Sequence, residues 1–344
     1  MPSFVTTSVA AVLAERPGLQ RIDLADGSRA VVLTDLTGPV TDGDEVVVNT
    51  TAVELGLGTG GWHVVHWNLS RREWRQAGSG HIMKLRYTSL QTDVGAAEEQ
   101  APAPDWPALG GRPAVVCGLH SQVGIVAAII KDLEPAARVV YVMTDGAALP
   151  LALSDLTAAL RATGTVDATV TAGHAFGGDH EAVNVPSALD VAVRLAGADV
   201  VVVGMGPGVV GTASDLGTTA VEAGPILDAA SRLGAEPILA ARASEADLRP
   251  RHRDLSHHST SALRLATLPA RVGHAAGTPL FDVPPPHRVE TVVVPPVEEV
   301  LRRRSVPVRS MGRGPDDDPR FFATTAAAGV LAAQIHRGRA TVRP

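Results

Sequence analysis

The sequence is short of aromatic residues, lysine, cysteine and long apolar runs. Aromatics make up 3% of a chain whose apolar share is 45%, so any core must be built from Val, Leu, Ile and Ala. A single cysteine, Cys117, excludes an intrachain disulfide and a Cys-rich zinc site. Lysine occurs only at Lys84 and Lys131, which leaves the positive charge to arginine. The formal net charge of −6 argues against binding nucleic acid by neutralising phosphates. No apolar run approaches the roughly twenty residues needed to span a bilayer. The first residues, MPSFVTTSVAAVLAERPG, carry neither a basic start nor a small-residue cleavage site. These absences lead to the expectation of a soluble, cytoplasmic protein.

What is present suggests two parts within 344 residues. Residues 1–91 read as a small β-barrel or meander of OB or SH3-like size. RIDL and RAVVLT flank the turn at Asp26-Gly27, Asp42-Gly43 precedes EVVVN, and WHVVHWNL closes the run. Trp62, Trp67 and Trp74, with His63 and His66, read as packing residues rather than a cofactor stripe. In GSGHIMKLRYTSLQTD, Lys84 and Arg86 are one residue apart and would share a face if extended, making an anion clamp or a charged strand edge. Residues 92–113, with Pro102, Pro104, Pro107 and Gly110-Gly111, read as a linker.

From residue 114 to 344 apolar strands alternate with helical stretches. PAVVCGLHSQ leads into VGIVAAIIKDL, RVVYVMTDGAALP into LALSDLTAALRAT, DATVTAGHAFGGDHEAVNV into SALDVAVRLAG, and ADVVVVGMGPGVVGT into PILDAASRLGAEPILAARAS. This rhythm predicts an α/β fold with a mostly parallel sheet, right-handed crossovers and helices on both faces. Polar loops would then gather at the carboxyl edge, where such sheets bind ligands.

Three stretches carry candidate chemistry. Gly206, Gly208 and Gly211 formally match a dinucleotide fingerprint after a strand, but Gly217 and Gly224-Pro225 interrupt the helix it requires, and the nearest later acid, Glu245, comes too late. Gly204, Gly206, Gly208, Gly211 and Thr212 are better read as a loop for a phosphate or carboxylate, against tight packing as the alternative, and a dinucleotide is not expected. GHAFGGDHEAVN gathers His174, Asp179, His180, Glu181 and Asn184, and makes His174, Asp179 and His180 a candidate divalent-metal set without a recognised spacing. RHRDLSHHS supplies Arg251 and Arg253 as anion ligands and His257 and His258 as acid–base groups. Adjacent on a helix, these two histidines should diverge by about 100°. Ser256 is the candidate helix N-cap. At other strand ends stand His120, a candidate ligand group, and Asp145, a candidate catalytic or metal-binding acid whose alternative is turn formation. A thiol-nucleophile role for Cys117 is set aside because it lies inside an apolar run.

Taken together, GHIMKLRYTSLQ, GLHSQ, YVMTDGAALPLALSD, GHAFGGDHEAVN, GMGPGVVGT and RHRDLSHHS resemble a functionally uncharacterised, largely actinobacterial domain-of-unknown-function family. The resemblance runs nearly the full length and includes GLGTGGWHVV. It implies a shared site and no particular reaction. The family pattern has Pro where this chain has Ser89, Gly at Asp254 and Thr at Ser259.

The combined expectation is an α/β enzyme, a hydrolase or group transferase, holding a small anionic metabolite. Asp145, His174, Asp179, His257 and His258 would be its acid–base groups. The alternative is a non-catalytic ligand sensor or assembly protein whose β module docks partners. Neither nucleic acid nor membrane is an expected partner, and self-association into a homo-oligomer is left open.

Overall fold

The computed structural model describes residues 1–57, 60–78, 80–102, 105–106 and 108–342. Gly58, Thr59, Ser79, Pro104 and Pro107, which belong to stretches quoted above, lie outside the described residues. The chain divides into two compact units, Met1–Gly95 and Ala96–Pro344.

The first unit contains β1 (Phe4–Arg16), β2 (Leu19–Leu24), β3 (Arg29–Val32), the short helix α1 (Thr34–Thr37), β4 (Glu45–Asn49), the short helix α2 (Thr51–Glu54), β5 (Trp62–Asn68), β6 (Ile82–Lys84) and β7 (Thr92–Val94). Strands β1-β2-β3-β5-β4 close into a barrel, and β3 runs parallel to β5. Val9, Ile22, Leu24, Val32, Val46, Val48 and Val65 fill it. The Asp26-Gly27 turn joins β2 to β3 as expected, with Gly27 at φ +83°. Unforeseen was β1, whose thirteen residues alternate too weakly to stand out as a strand. It pairs along one length with β2 and along another with β4. Arg29 and Arg21 lie 4.6 and 5.4 Å from the Trp62 ring, which supports the packing role for this tryptophan.

The second unit contains α3 (Ala97–Gln100), β8 (Pro113–Cys117), α4 (His120–Leu133), β9 (Val139–Thr144), α5 (Asp155–Ala162), β10 (Ala168–Ala172), β11 (His180–Ala182), α6 (Val185–Arg194), β12 (Val200–Met205), α7 (Ala223–Arg232), β13 (Glu236–Ala240), β14 (Ala243–Ser244), β15 (Asp254–Leu255), α8 (His257–Leu265), β16 (Arg271–Ala275), β17 (Arg288–Val292), α9 (Val297–Arg303) and α10 (Pro319–Val342). Eight strands form one sheet in the order β11-β10-β9-β12-β8-β13-β16-β17. Every pairing within it is parallel. The expected linker is partly built into these units. Thr92–Val94 pairs with β6, and Leu109 is buried in the second unit, its N–H donating to Leu233 O.

Side chains alternate between the two faces of the sheet. Val115 and Cys117 of β8 pack with α4, α9 and α10, whereas Ala114 and Val116 pack with α6, α7 and α8. With both faces covered, the strands carry the near-continuous apolar runs typical of parallel sheets. Two glycines let α10 come close. A Cβ on Gly273 of β16 would lie 2.6 Å from Ala328 N, and one on Gly329 would lie 3.0 Å from Ile129 Cβ. The obstacle at Gly273 is helix backbone, which cannot rotate away. Gly273→Ala should therefore destabilise the second unit by about 1–3 kcal/mol through overpacking, read as a lower denaturant midpoint with an unchanged slope.

Candidate functional site

All strands of the large sheet point the same way, so their carboxyl ends deliver loops to one edge. Gly118–His120 follow β8, Asp145 and Gly146 follow β9, Gly173 and His174 follow β10, residues 206–218 follow β12, and Arg242 follows β13. Two clusters of titratable groups form there.

The first is acidic. Glu222 ends a 3₁₀ turn, Thr219–Glu222, whose N-cap Thr218 accepts from Ala220 N–H. Thr144 Oγ1 donates to Glu222 Oε1 at 2.6 Å, and Asp145 Oδ2 accepts from His174 N–H at 2.9 Å. The carboxyl groups lie against glycines: a Cβ at Gly146 would overlap Glu222, and one at Gly173 would overlap Asp145. Burial raises the Glu222 carboxyl to about 7, helped by the neighbouring Asp145 and opposed by the Thr144 hydrogen bond. A carboxyl group at that level can both give and take a proton near neutrality.

The second cluster is made of imidazoles. His252 closes the 3₁₀ turn Pro250–His252, and Ser256 caps α8 by accepting from His258 N–H. The expected divergence of His257 and His258 does not occur. Their ring centroids are 4.4 Å apart, and His252 stands 4.9 and 4.7 Å from them. The 100° rule applies to backbone directions; at the first turn of α8 both rings nevertheless approach His252, which the preceding turn supplies. One donor atom from each of the three lies within 4.8 Å of the others. Among the described residues this is the group able to share one metal ion, and the expected trio of His174, Asp179 and His180 is not.

The glycine-rich loop folds against these rings. Asp215 Oδ1 is 3.7 Å from His257 Nδ1, and a Cβ on Gly211 would lie 3.4 Å from His258 Nε2. His257 Nε2 and His258 Nδ1 are buried without a hydrogen-bond partner, which in a folded protein calls for an explanation. Burial lowers all three imidazoles, with nearby Arg242, Arg249 and Arg251 adding to it: His252 to about 3, His258 to about 4, and His257 in the same direction. All three are thereby shifted towards the neutral form.

Asp247 holds this segment in place. Buried at 2% exposure, it accepts from Arg242 Nη2 at 2.9 Å and from Arg249 at 3.0 Å, and lies 3.5 Å from Arg313 Nη2. Burial alone would raise its carboxyl, but hydrogen bonds and charge from Arg249 and Arg242 outweigh that and hold it well below the usual range. Further along the segment Asp254 adopts φ +52° and pairs with Arg320.

Other expected residues serve structural ends. Gly204 and Gly206 are packing glycines, whose Cβ atoms would lie 2.9 Å from Cys117 O and 2.7 Å from Ala148 O. Gly208, at φ +103°, lets the chain turn. Val210 N–H and Thr212 N–H are used within the loop, by Thr219 Oγ1 and Gly217 O, and therefore do not face an anion. From Gly206 to Thr218 the chain forms no helix, which removes the helix start that a dinucleotide fingerprint needs. Asp179 binds Thr169 N–H, Thr169 Oγ1 and Arg161, tying its loop to β10, while His180 lies in β11. His120 is partly buried and commits both ring nitrogens within the protein. Nδ1–H donates to Met205 O at 3.1 Å, and Nε2 pairs with Ser154 Oγ at 2.6 Å. Burial lowers this imidazole to about 4, opposed by the Met205 bond. Cys117 is fully buried, which pushes its thiol up and out of nucleophilic use. Lys84 and Arg86 do not share a face: β6 ends at Lys84, Leu85 has φ +51°, Lys84 is buried and Arg86 is exposed. Arg251 and Arg253 are exposed, and Arg253 Nε donates to Asp247 O.

Sequence reasoning missed Glu222, Asp215, Arg242, Asp247 and the role of His252. The available signals were modest. Arg242 is a charge immediately after an apolar strand, and His252 sat inside the quoted RHRDLSHH.

Fold and site together define an α/β protein with imidazoles, arginines and a near-neutral carboxyl group at the carboxyl edge of its sheet. A family model described as "Protein of unknown function (DUF3866)" matches residues 29–329, and the chain belongs to that family. No curated protein matches the chain.

Two outcomes follow from these charges. Glu222 binds its proton more tightly when folded, so it weakens the folded state as pH rises from about 4.5 to about 7. Relative to wild type, Glu222→Gln should gain stability across that window and hold the gain above it, as measured by urea unfolding at a series of pH values. Asp247→Asn leaves the buried Arg242 guanidinium uncompensated and should cost about 3–5 kcal/mol in the same assay.

Proposed function

We propose that this protein is a cytoplasmic enzyme, a hydrolase or group transferase, acting on a small metabolite that carries a phosphate or carboxylate. The observation that carries this reading is the folding of loop 206–218 over His257 and His258, beside Arg242 and Arg251, at the ligand-binding edge of the sheet. With the loop N–H groups of Val210 and Thr212 already engaged, the anion is held chiefly by guanidinium, and Arg251 is exposed and lies near enough to His257 to lower its proton affinity. Glu222, with Asp145 beside it, supplies acid–base capacity. Among the described residues no helix is long and apolar enough to cross a membrane.

The test is a thermal-shift and turnover screen of phosphorylated and carboxylated metabolites. A ligand of the right class raises the melting temperature by mass action. Arg251→Ala should abolish that shift, while Glu222→Gln should keep it and lose turnover. A wild-type shift without turnover by any hit would favour the non-catalytic sensor, and a complete lack of response to anions would overturn both.

A further inference from the structure

The histidine cluster is more specific than the anion-site reading requires. Three imidazoles from two adjacent elements converge, with donor atoms within 4.8 Å. His258 is 8% exposed and its Nδ1 has no partner; His257 Nε2 is likewise buried and unpaired. The remaining nitrogens are oriented. His252 Nδ1 is paired with Ser256 Oγ at 2.8 Å, which leaves its Nε2, and His257 Nδ1 faces Asp215 Oδ1 at 3.7 Å, which leaves its Nε2. An imidazole held through one nitrogen by a hydroxyl or carboxylate presents the other to a metal, as metal-binding histidines commonly do.

We propose that His252, His257 and His258 bind one divalent transition-metal ion of the zinc class, with Asp215 orienting His257 and a fourth position left to water or an anionic ligand. Three nitrogen donors select Zn²⁺, Co²⁺, Ni²⁺ or Cu²⁺ over Mg²⁺ and Ca²⁺, which require oxygen. Three protein ligands with one place open is the donor count of catalytic rather than structural zinc. Tetrahedral zinc with bonds of about 2.0–2.1 Å places nitrogens about 3.4 Å apart, within reach of a modest turn of these rings. Arg242, Arg249 and Arg313 converge on Asp247, which offsets part of their charge, while the remainder and exposed Arg251 oppose a bare cation. Their remaining charge favours an anion as the fourth ligand. The inference shares its location with the proposed function but does not depend on a reaction.

The full-length chain, stripped with a chelator, is titrated with Zn²⁺ by calorimetry and with Co²⁺ by visible absorption, without any substrate. One ion per chain with a tetrahedral cobalt spectrum is expected. His257→Gln should weaken binding at least 100-fold and Asp215→Asn 10–100-fold, while His180→Gln should leave it unchanged. His258→Ala is the stronger variant, but it removes a buried ring. The partly exposed His257 and exposed Asp215 keep the test valid if it fails to fold. Absence of stoichiometric binding by folded wild type overturns the proposal, as does binding that His257→Gln and Asp215→Asn do not weaken. An anion-induced thermal shift dependent on Arg251, together with no stoichiometric metal binding, would sink the metal site alone. Metal binding with no response to any anion would sink the functional reading alone.

Discussion

Seven consecutive parallel pairings place the central sheet between two layers of helix, and that constraint governs the second unit. A sheet buried on both faces needs mostly apolar side chains along its central strands, and close-packed helices need those side chains small. This accounts for the Val and Ala strands, the scarcity of aromatics, and the glycines at 273 and 329 where α10 comes nearest. It also sends every strand's carboxyl end the same way. Chemistry can then collect at one edge without disturbing the core.

At that edge a second constraint operates. Asp247 is a buried carboxylate that several arginines satisfy together, and it fixes the path of residues 242–256 that carries His252 to α8. Ser256 caps that helix and also holds His252. The imidazoles are therefore crowded by the backbone and its ion pairs. Their lowered proton affinity is a consequence of that crowding and of the surrounding guanidinium charge. Glu222 shows the converse: burial beside Asp145 disfavours its anion, and one threonine hydroxyl compensates only in part.

The rhythm of strand and helix, the barrel-like start, the Ser256 cap and the loops at the strand ends were all legible in the sequence. So was the mismatch between the 206–218 loop and a dinucleotide fold. Each depends on local periodicity or turn chemistry, read over a few residues at a time. Strand β1 escaped because its alternation is weak and its pairing is divided between two partners. The Lys84–Arg86 clamp failed because one residue, Leu85, leaves the extended region.

The sequence by itself determined which segments are apolar strands, which are amphipathic helices, and that polar loops would share an edge. Only the tertiary structure decided which polar residues meet there. Strand order runs β11-β10-β9-β12-β8-β13-β16-β17, so β12 is inserted between β9 and β8 and distant segments are joined at the centre of the sheet. Glu222 was thereby brought to Thr144 and Asp145, and Asp215 to His257. Contacts of that range, and side-chain torsions at a helix start, leave no periodic trace in the chain.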